Sequence, residues 1–107
     1  MRLTNDLATR LANLNIIRDV YPMIDHIDVE AVWDEDTAYP AYVINMKIYL
    51  NDPQITEKNM YDKKFDPHYL IDKYYINLLK LAGIKKRNID QFYFSIFNPQ
   101  GEMIHNY

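Results

Sequence analysis

From His26 to Asn51 the chain alternates apolar and polar residues in two runs. In the first, Ile27, Val29, Ala31 and Trp33 alternate with Asp28, Glu30, Val32 and Asp34. In the second, Tyr42, Ile44, Met46, Ile48 and Leu50 alternate with Val43, Asn45, Lys47 and Tyr49. A period of two sustained this long predicts two half-buried strands. The break Glu35-Asp36-Thr37-Ala38-Tyr39-Pro40 is short enough for a hairpin connection. One face of the pair is then apolar. The other carries His26, Asp28, Glu30, Asn45 and Lys47 with Val32, Val43 and Tyr49 among them.

Helical spacing flanks the hairpin. Leu3, Leu7, Leu11, Leu14, Ile17 and Tyr21 recur at steps of three and four, which predicts one amphipathic helix. Thr4 or Asn5 is its expected N-cap and Pro22 its stop. Residues 51–65 contain Pro53, mixed charge and no period, so a surface excursion is expected. A second helix starts at Asp66-Pro67, with Leu70, Tyr74, Leu78 and Leu81 as core stripe and Ile71, Tyr75 and Ala82 beside it. Gly83 suits the left-handed position that ends a helix, followed by the apolar contact of Ile84. A third strand is expected over 91–98, and Asn98-Pro99-Gln100-Gly101 is a turn leading to a short last strand. The order αββαβ(β) predicts an α+β fold: a two-layer sandwich, antiparallel or mixed sheet, with two helices on one face.

The chain has 107 residues, the size of a single domain spanning 1–107, and is long enough for one core. It has no cysteine, which excludes disulfides and thiolate metal sites. No apolar run is long enough to span a bilayer, and Met1-Arg2-Leu3-Thr4-Asn5-Asp6 turns polar too early for a signal peptide. The expected setting is soluble, in a cytoplasm or a virion. The net charge of −3 argues against nucleic acid as a partner. Between Arg18 and Lys47 there is no Lys or Arg but there are seven acids.

Few residues carry recognisable chemistry. Asp28 and Glu30 share the polar face with His26, and Asn45 and Lys47 point the same way from the next strand. Carboxylates on one strand opposite a lysine would suit a metal-dependent nuclease, although Asn45 stands where a further acid would help. A solvated face with offsetting cross-strand charges accounts for the same residues more simply, so no metal, no cofactor and no catalytic residue is expected. Lys85-Lys86-Arg87 could contact a nucleic-acid phosphate, but a cationic run also suits a helix C-terminus. His68 and His105 have no sequence partner that makes a relay. Three of the tyrosines in the set Tyr39, Tyr42, Tyr49, Tyr61 and Tyr69 lie outside the core stripes, where Tyr favours protein contacts.

Val20-Tyr21-Pro22-Met23-Ile24-Asp25-His26-Ile27-Asp28-Val29 follows an amphipathic helix and precedes a second alternating strand. In this arrangement residues 7–50 resemble the helix–proline–strand–strand element of the short wedge subunit of contractile phage baseplates, a family also found in type VI secretion. That family carries Glu before the proline and Arg after it, where this chain has Tyr21 and Met23. The element order, and the Asn-Asp ending of 36–52, also resemble ribosome-binding factor A, a KH-like protein. The first resemblance implies a structural subunit, the second an RNA or ribosome binder.

The favoured expectation is a non-enzymatic interaction or structural subunit of a larger assembly, of the phage tail, baseplate or neck kind. It would dock a protein partner or a second copy through Val32, Val43, Tyr49, Asp28, Glu30, Asn45 and Lys47. A KH-like binder using Lys85, Lys86 and Arg87, a metal-dependent nuclease, and a small inhibitor of a host or defence enzyme are the alternatives.

Overall fold

The structure, a computed structural model, describes residues 2–36 and 38–107; Met1, and Thr37 within the connection expected after the first strand, lie outside the described residues. Two short helices, α1 (Asn5–Ala12) and α2 (Asn15–Val20), precede β1 (Ile24–Asp34) and β2 (Ala41–Leu50). A third, α3, occupies 67–81 and leads through a 3-10 turn (Lys86–Asn88) into β3 (Ile89–Phe97) and β4 (Met103–Asn106). The strands form a four-stranded sheet in the order β1-β2-β3-β4. The outer pairs are antiparallel and the β2–β3 pair is parallel, so the α+β fold has a mixed, open sheet. No described helix is long and apolar enough to cross a membrane.

The strand alternation places side chains as expected. Ile27, Val29, Tyr42, Ile44, Met46, Ile48, Phe94 and Ile96 are buried in one core with residues of the helices. Asp28, Glu30, Asn45 and Lys47 point to the other side and are exposed.

β1 is an edge strand, so every second residue turns its amide and carbonyl away from β2. At Ile27, Val29 and Ala31, side chains of α1 and of its C-cap Asn13 partner most of these groups. Asn5 Oδ1 accepts from Ala31 N at 2.7 Å. Thr9 Oγ1 accepts from Val29 N at 3.0 Å and donates to Val29 O at 3.1 Å. Asn13 Oδ1 accepts from Ile27 N at 2.9 Å, while its Nδ2 donates to Ile27 O at 2.7 Å. The periods explain the fit. Four helical residues rise about 6.0 Å and two strand residues about 6.7 Å, so polar residues every fourth position stay in step with every second strand residue. Small Ala8 and Ala12 turn into the core and permit the close approach.

This use of Asn13 changes the first helical region. One continuous helix was expected; the chain instead breaks after Ala12, with Asn13 outside helical geometry and Leu14 extended. Leu14, expected in the core stripe, is 41% exposed, whereas Ile17 and Tyr21 are buried. Thr4 is the N-cap, accepting from Leu7 N, which frees Asn5 for the strand edge.

α3 begins as expected, with Asp66 Oδ1 accepting from Tyr69 N and Pro67 in the first turn. Its core stripe differs. A π-helical turn over Leu70–Tyr75, in which Ile76 N bonds Ile71 O, inserts one extra residue. The inward face becomes Leu70, Ile71, Tyr75 and Leu79, and Leu81 is left 85% exposed. The helix ends as its glycine predicts: Ile84 N bonds Leu79 O, Gly83 N bonds Lys80 O, and Gly83 has φ 89°.

Residues 51–65 are more than a surface excursion. Ile55, Met60 and Phe65 are buried and tie the segment to the core. Its end repeats the same closing motif, with Phe65 N bonded to Met60 O, Lys64 N to Tyr61 O, and Lys64 at φ 62°. Asn59 Oδ1 accepts from Thr56 N and its Nδ2 donates to Gln54 O, which holds the middle.

Replacing Thr9 with valine keeps the shape of the edge clamp and deletes both of its bonds. Thr9→Val is expected to cost about 1–3 kcal/mol in denaturant unfolding, because two edge groups lose partners, whereas Thr9→Ser stays near wild type. Equal stability of the two variants, with unchanged hydrogen exchange at Val29, would show that the clamp does not act in solution.

Two tyrosines set an alkaline limit. Burial pushes the Tyr21 hydroxyl up to about 12, with the nearby Asp66 carboxylate adding to the effect. Burial pushes the Tyr75 hydroxyl, which donates to Ala8 O at 3.0 Å, further still. A raised acid favours its neutral form in the folded state. The stability it contributes is therefore complete below the unfolded value of about 10 and is lost, for Tyr21, as the pH climbs toward about 12. Tyrosinate absorbance is expected to rise first for exposed tyrosines and then in a late phase that coincides with unfolding. A single phase in a protein that stays folded would contradict this.

Candidate docking face of the sheet

The helices cover one side of the sheet and leave the other open. The register across the strands sorts the open side into rows. His26 stands opposite Tyr49, Tyr49 beside Phe97, and Phe97 opposite Met103. The next row is Asp28, Lys47, Ser95 and Asn106. Glu30, Asn45 and Tyr93 follow, and Val32, Val43 and Gln91 close the far end.

The first row is a ladder of stacked rings. His26 and Tyr49 lie 4.5 Å apart at 8°, and Tyr49 and Phe97 lie 5.0 Å apart at 16°. Ring stacking of this kind adds to the area that the side chains bury. A bulge in β1 sets the end of the ladder: Asp25 is the extra residue where the register shifts between Ile24 and His26. Its Oδ2 lies 2.7 Å from His26 Nδ1, and Asp28 Oδ2 lies 3.9 Å from His26 Nε2. The imidazole is thus held between two carboxylates and against one phenol ring.

The sequence-predicted site residues share this face. Asp28 faces Lys47, Glu30 faces Asn45, and Val32 faces Val43. Val32 is 50% exposed, and Tyr49 is half-buried by its ring neighbours. Tyr93 adds an exposed ring whose hydroxyl donates to Gln91 Oε1. Among the described residues, no three His, Asp or Glu side chains gather to hold a metal ion.

Lys85, Lys86 and Arg87 fall elsewhere. They are exposed around the 3-10 turn just before β3, near the end of the sheet where Ile89 pairs with Tyr42. The ring ladder lies at the opposite end of the same strands. Asn88 Oδ1 accepts from Lys85 N and closes this turn. His105 Nδ1 lies 3.5 Å from Glu57 Oε1, and His68 packs edge-on against Phe94 and Tyr107, so neither histidine joins the open face.

Phe97, Met103 and the bulged Asp25 were not in the sequence-predicted set. The alternation of β3 put Phe97 on the outer face, but only the parallel register with β2 places it beside Tyr49. Comparison of the chain with models of known families, with curated proteins and with solved structures yields no match.

Tyr49→Ala removes the middle ring of the ladder. It is expected to lower stability by roughly 1–3 kcal/mol, since two stacking contacts and part of a ring's burial are lost. The His26 ring protons, shielded by the phenol in the native protein, should move toward their free positions in the NMR spectrum. Unmoved resonances would mean that the rings do not stack in solution.

Proposed function

We propose that this chain is a non-enzymatic interaction module, a subunit of a larger assembly that docks a protein partner through the open sheet face. The observation that carries the reading is the uncovered ladder His26–Tyr49–Phe97 beside an acidic band. Stacked aromatic rings are rigid and amphipathic, and burying them is a common source of energy at the centre of protein interfaces. Asp25, Asp28 and Glu30 surround the β1 end of the face, and Lys47 stands opposite Asp28. The complementary partner surface therefore has an apolar centre and Arg or Lys at its rim. Opposite charges at the rim would govern association rate and selectivity more than affinity. A wedge-like structural subunit, as the resemblance of residues 7–50 implies, is one setting for such a face.

The test is affinity capture from the native source, with partners identified by mass spectrometry and the complex sized by light scattering. Wild type should retain a partner that Tyr49→Ala and Val43→Asp lose. Asp28→Lys with Glu30→Lys should weaken capture most at low salt. A protein that stays monomeric without partners, or variants that capture as well as wild type, would sink the reading.

A further inference from the structure

The opposite side of the sheet is incompletely covered. Where α3 faces β3, a ditch remains, in two adjoining lobes of about 200 and 240 Å³. Ile71, Asp72 and Phe92 line both lobes and form the saddle between them. The first lobe is completed mainly by Ile76 and Ile89, with Lys86 and Asp90 at its rim. The second ends in three rings: His68 lies 5.3 Å from Phe94 and 4.7 Å from Tyr107, and Phe94 stacks on Tyr107 at 5.3 Å.

The π-helical turn shapes this ditch. The residue it adds lies in the stretch that holds Ile71 and Asp72, and both end up on the wall facing β3. Single π turns inside helices recur at functional sites. Asp72 has no ion pair or hydrogen bond among the described residues. Asp72 is exposed on the wall beside Ile71 and Phe92, and its carboxylate selects by charge what settles over it. A neutral apolar molecule settling over it would strip its water and return nothing. An anion would meet the carboxylates of Asp72 and Asp90 against the ammonium of Lys86, an unfavourable balance. A cation would replace the lost water with an opposite charge and gain further from the ring electrons.

From these observations we infer that the ditch binds a small apolar cation, an alkylammonium or arylalkylammonium group. Its hydrocarbon part occupies the lobe of Ile76 and Ile89, and its charge rests between Asp72 and the rings of His68 and Tyr107. The site lies across the sheet from the docking face and does not depend on it.

The experiment is an NMR titration of the intact chain with four soluble probes: phenethylammonium, benzyltrimethylammonium, phenylethanol and phenylacetate. The two cations should shift the amides of Ile71, Asp72, Phe92 and Phe94. Phenylethanol should bind about fivefold more weakly than phenethylammonium, and phenylacetate more weakly again. Asp72→Asn lies on an exposed helix position and should fold normally, yet bind phenethylammonium and phenylethanol alike. Tyr107→Ala should lower affinity for the cations more than for the alcohol. Equal binding of phenethylammonium and phenylethanol by wild type would overturn the inference, as would cation-induced shifts confined to the open face or absent altogether.

Discussion

The constraint behind much of this architecture is the outer edge of β1. A strand at the margin of a sheet presents amides and carbonyls that must find partners or water. Asn5, Thr9 and Asn13, the last at the helix C-cap, answer the edge groups at three positions, Ala31, Val29 and Ile27. Much of the N-terminal half follows from that solution. α1 must lie close to the edge, so its inward residues are Ala8 and Ala12 rather than larger ones. Asn13 must reach Ile27 with both ends of its amide, and the helix stops there. α1 is held at the margin and on the core side, and among the described residues no helix covers the other face.

The clamp also directs how the protein can meet others. An unguarded edge is a template for a further strand, and on β1 that route is closed by side chains. What remains on that side of the molecule is the open face, whose rows differ in chemistry. The rings at one end offer apolar area with little mobility. Asp28 and Glu30 lie beside them, and the bulge at Asp25 adds a carboxylate that a regular strand would have turned elsewhere.

Much of this was legible in the sequence because the signals were local. Period-two alternation placed Ile27, Val29, Ile44, Met46 and Ile48 inside and Asp28, Glu30, Asn45 and Lys47 outside. Asp66-Pro67 and Gly83 marked the ends of α3 correctly, since a cap needs only its immediate neighbours. What was hidden depends on distant partners. Thr9 and Asn13 look like ordinary polar positions until β1 lies alongside them. The inward face of α3 was misassigned because a π turn leaves no mark in an apolar pattern: Leu79 took the place expected for Leu81. The buried role of Ile55, Met60 and Phe65 was missed because their spacing of five matches neither helix nor strand. On the open face, each residue's orientation was readable from its own strand, but the ladder was not, because it is made by register across strands.

The π turn and the edge clamp are linked through Tyr75. Its hydroxyl reaches Ala8 O on the clamping helix, and its ring packs edge-on against Phe92 of β3. One side chain thus fixes the distance from α3 to both margins of the core. To bury Tyr75 there while Leu70 and Ile71 also face inward, the helix must turn through less angle than usual between positions 71 and 75, and the wider π turn does so. Asp72 is carried along with that rotation and comes to rest over β3, where a carboxylate contributes nothing to the core. A packing demand at the centre of the fold thereby accounts for an exposed carboxylate on the wall of the ditch. The same demand leaves the sheet's other side untouched, so the two candidate surfaces can be altered independently.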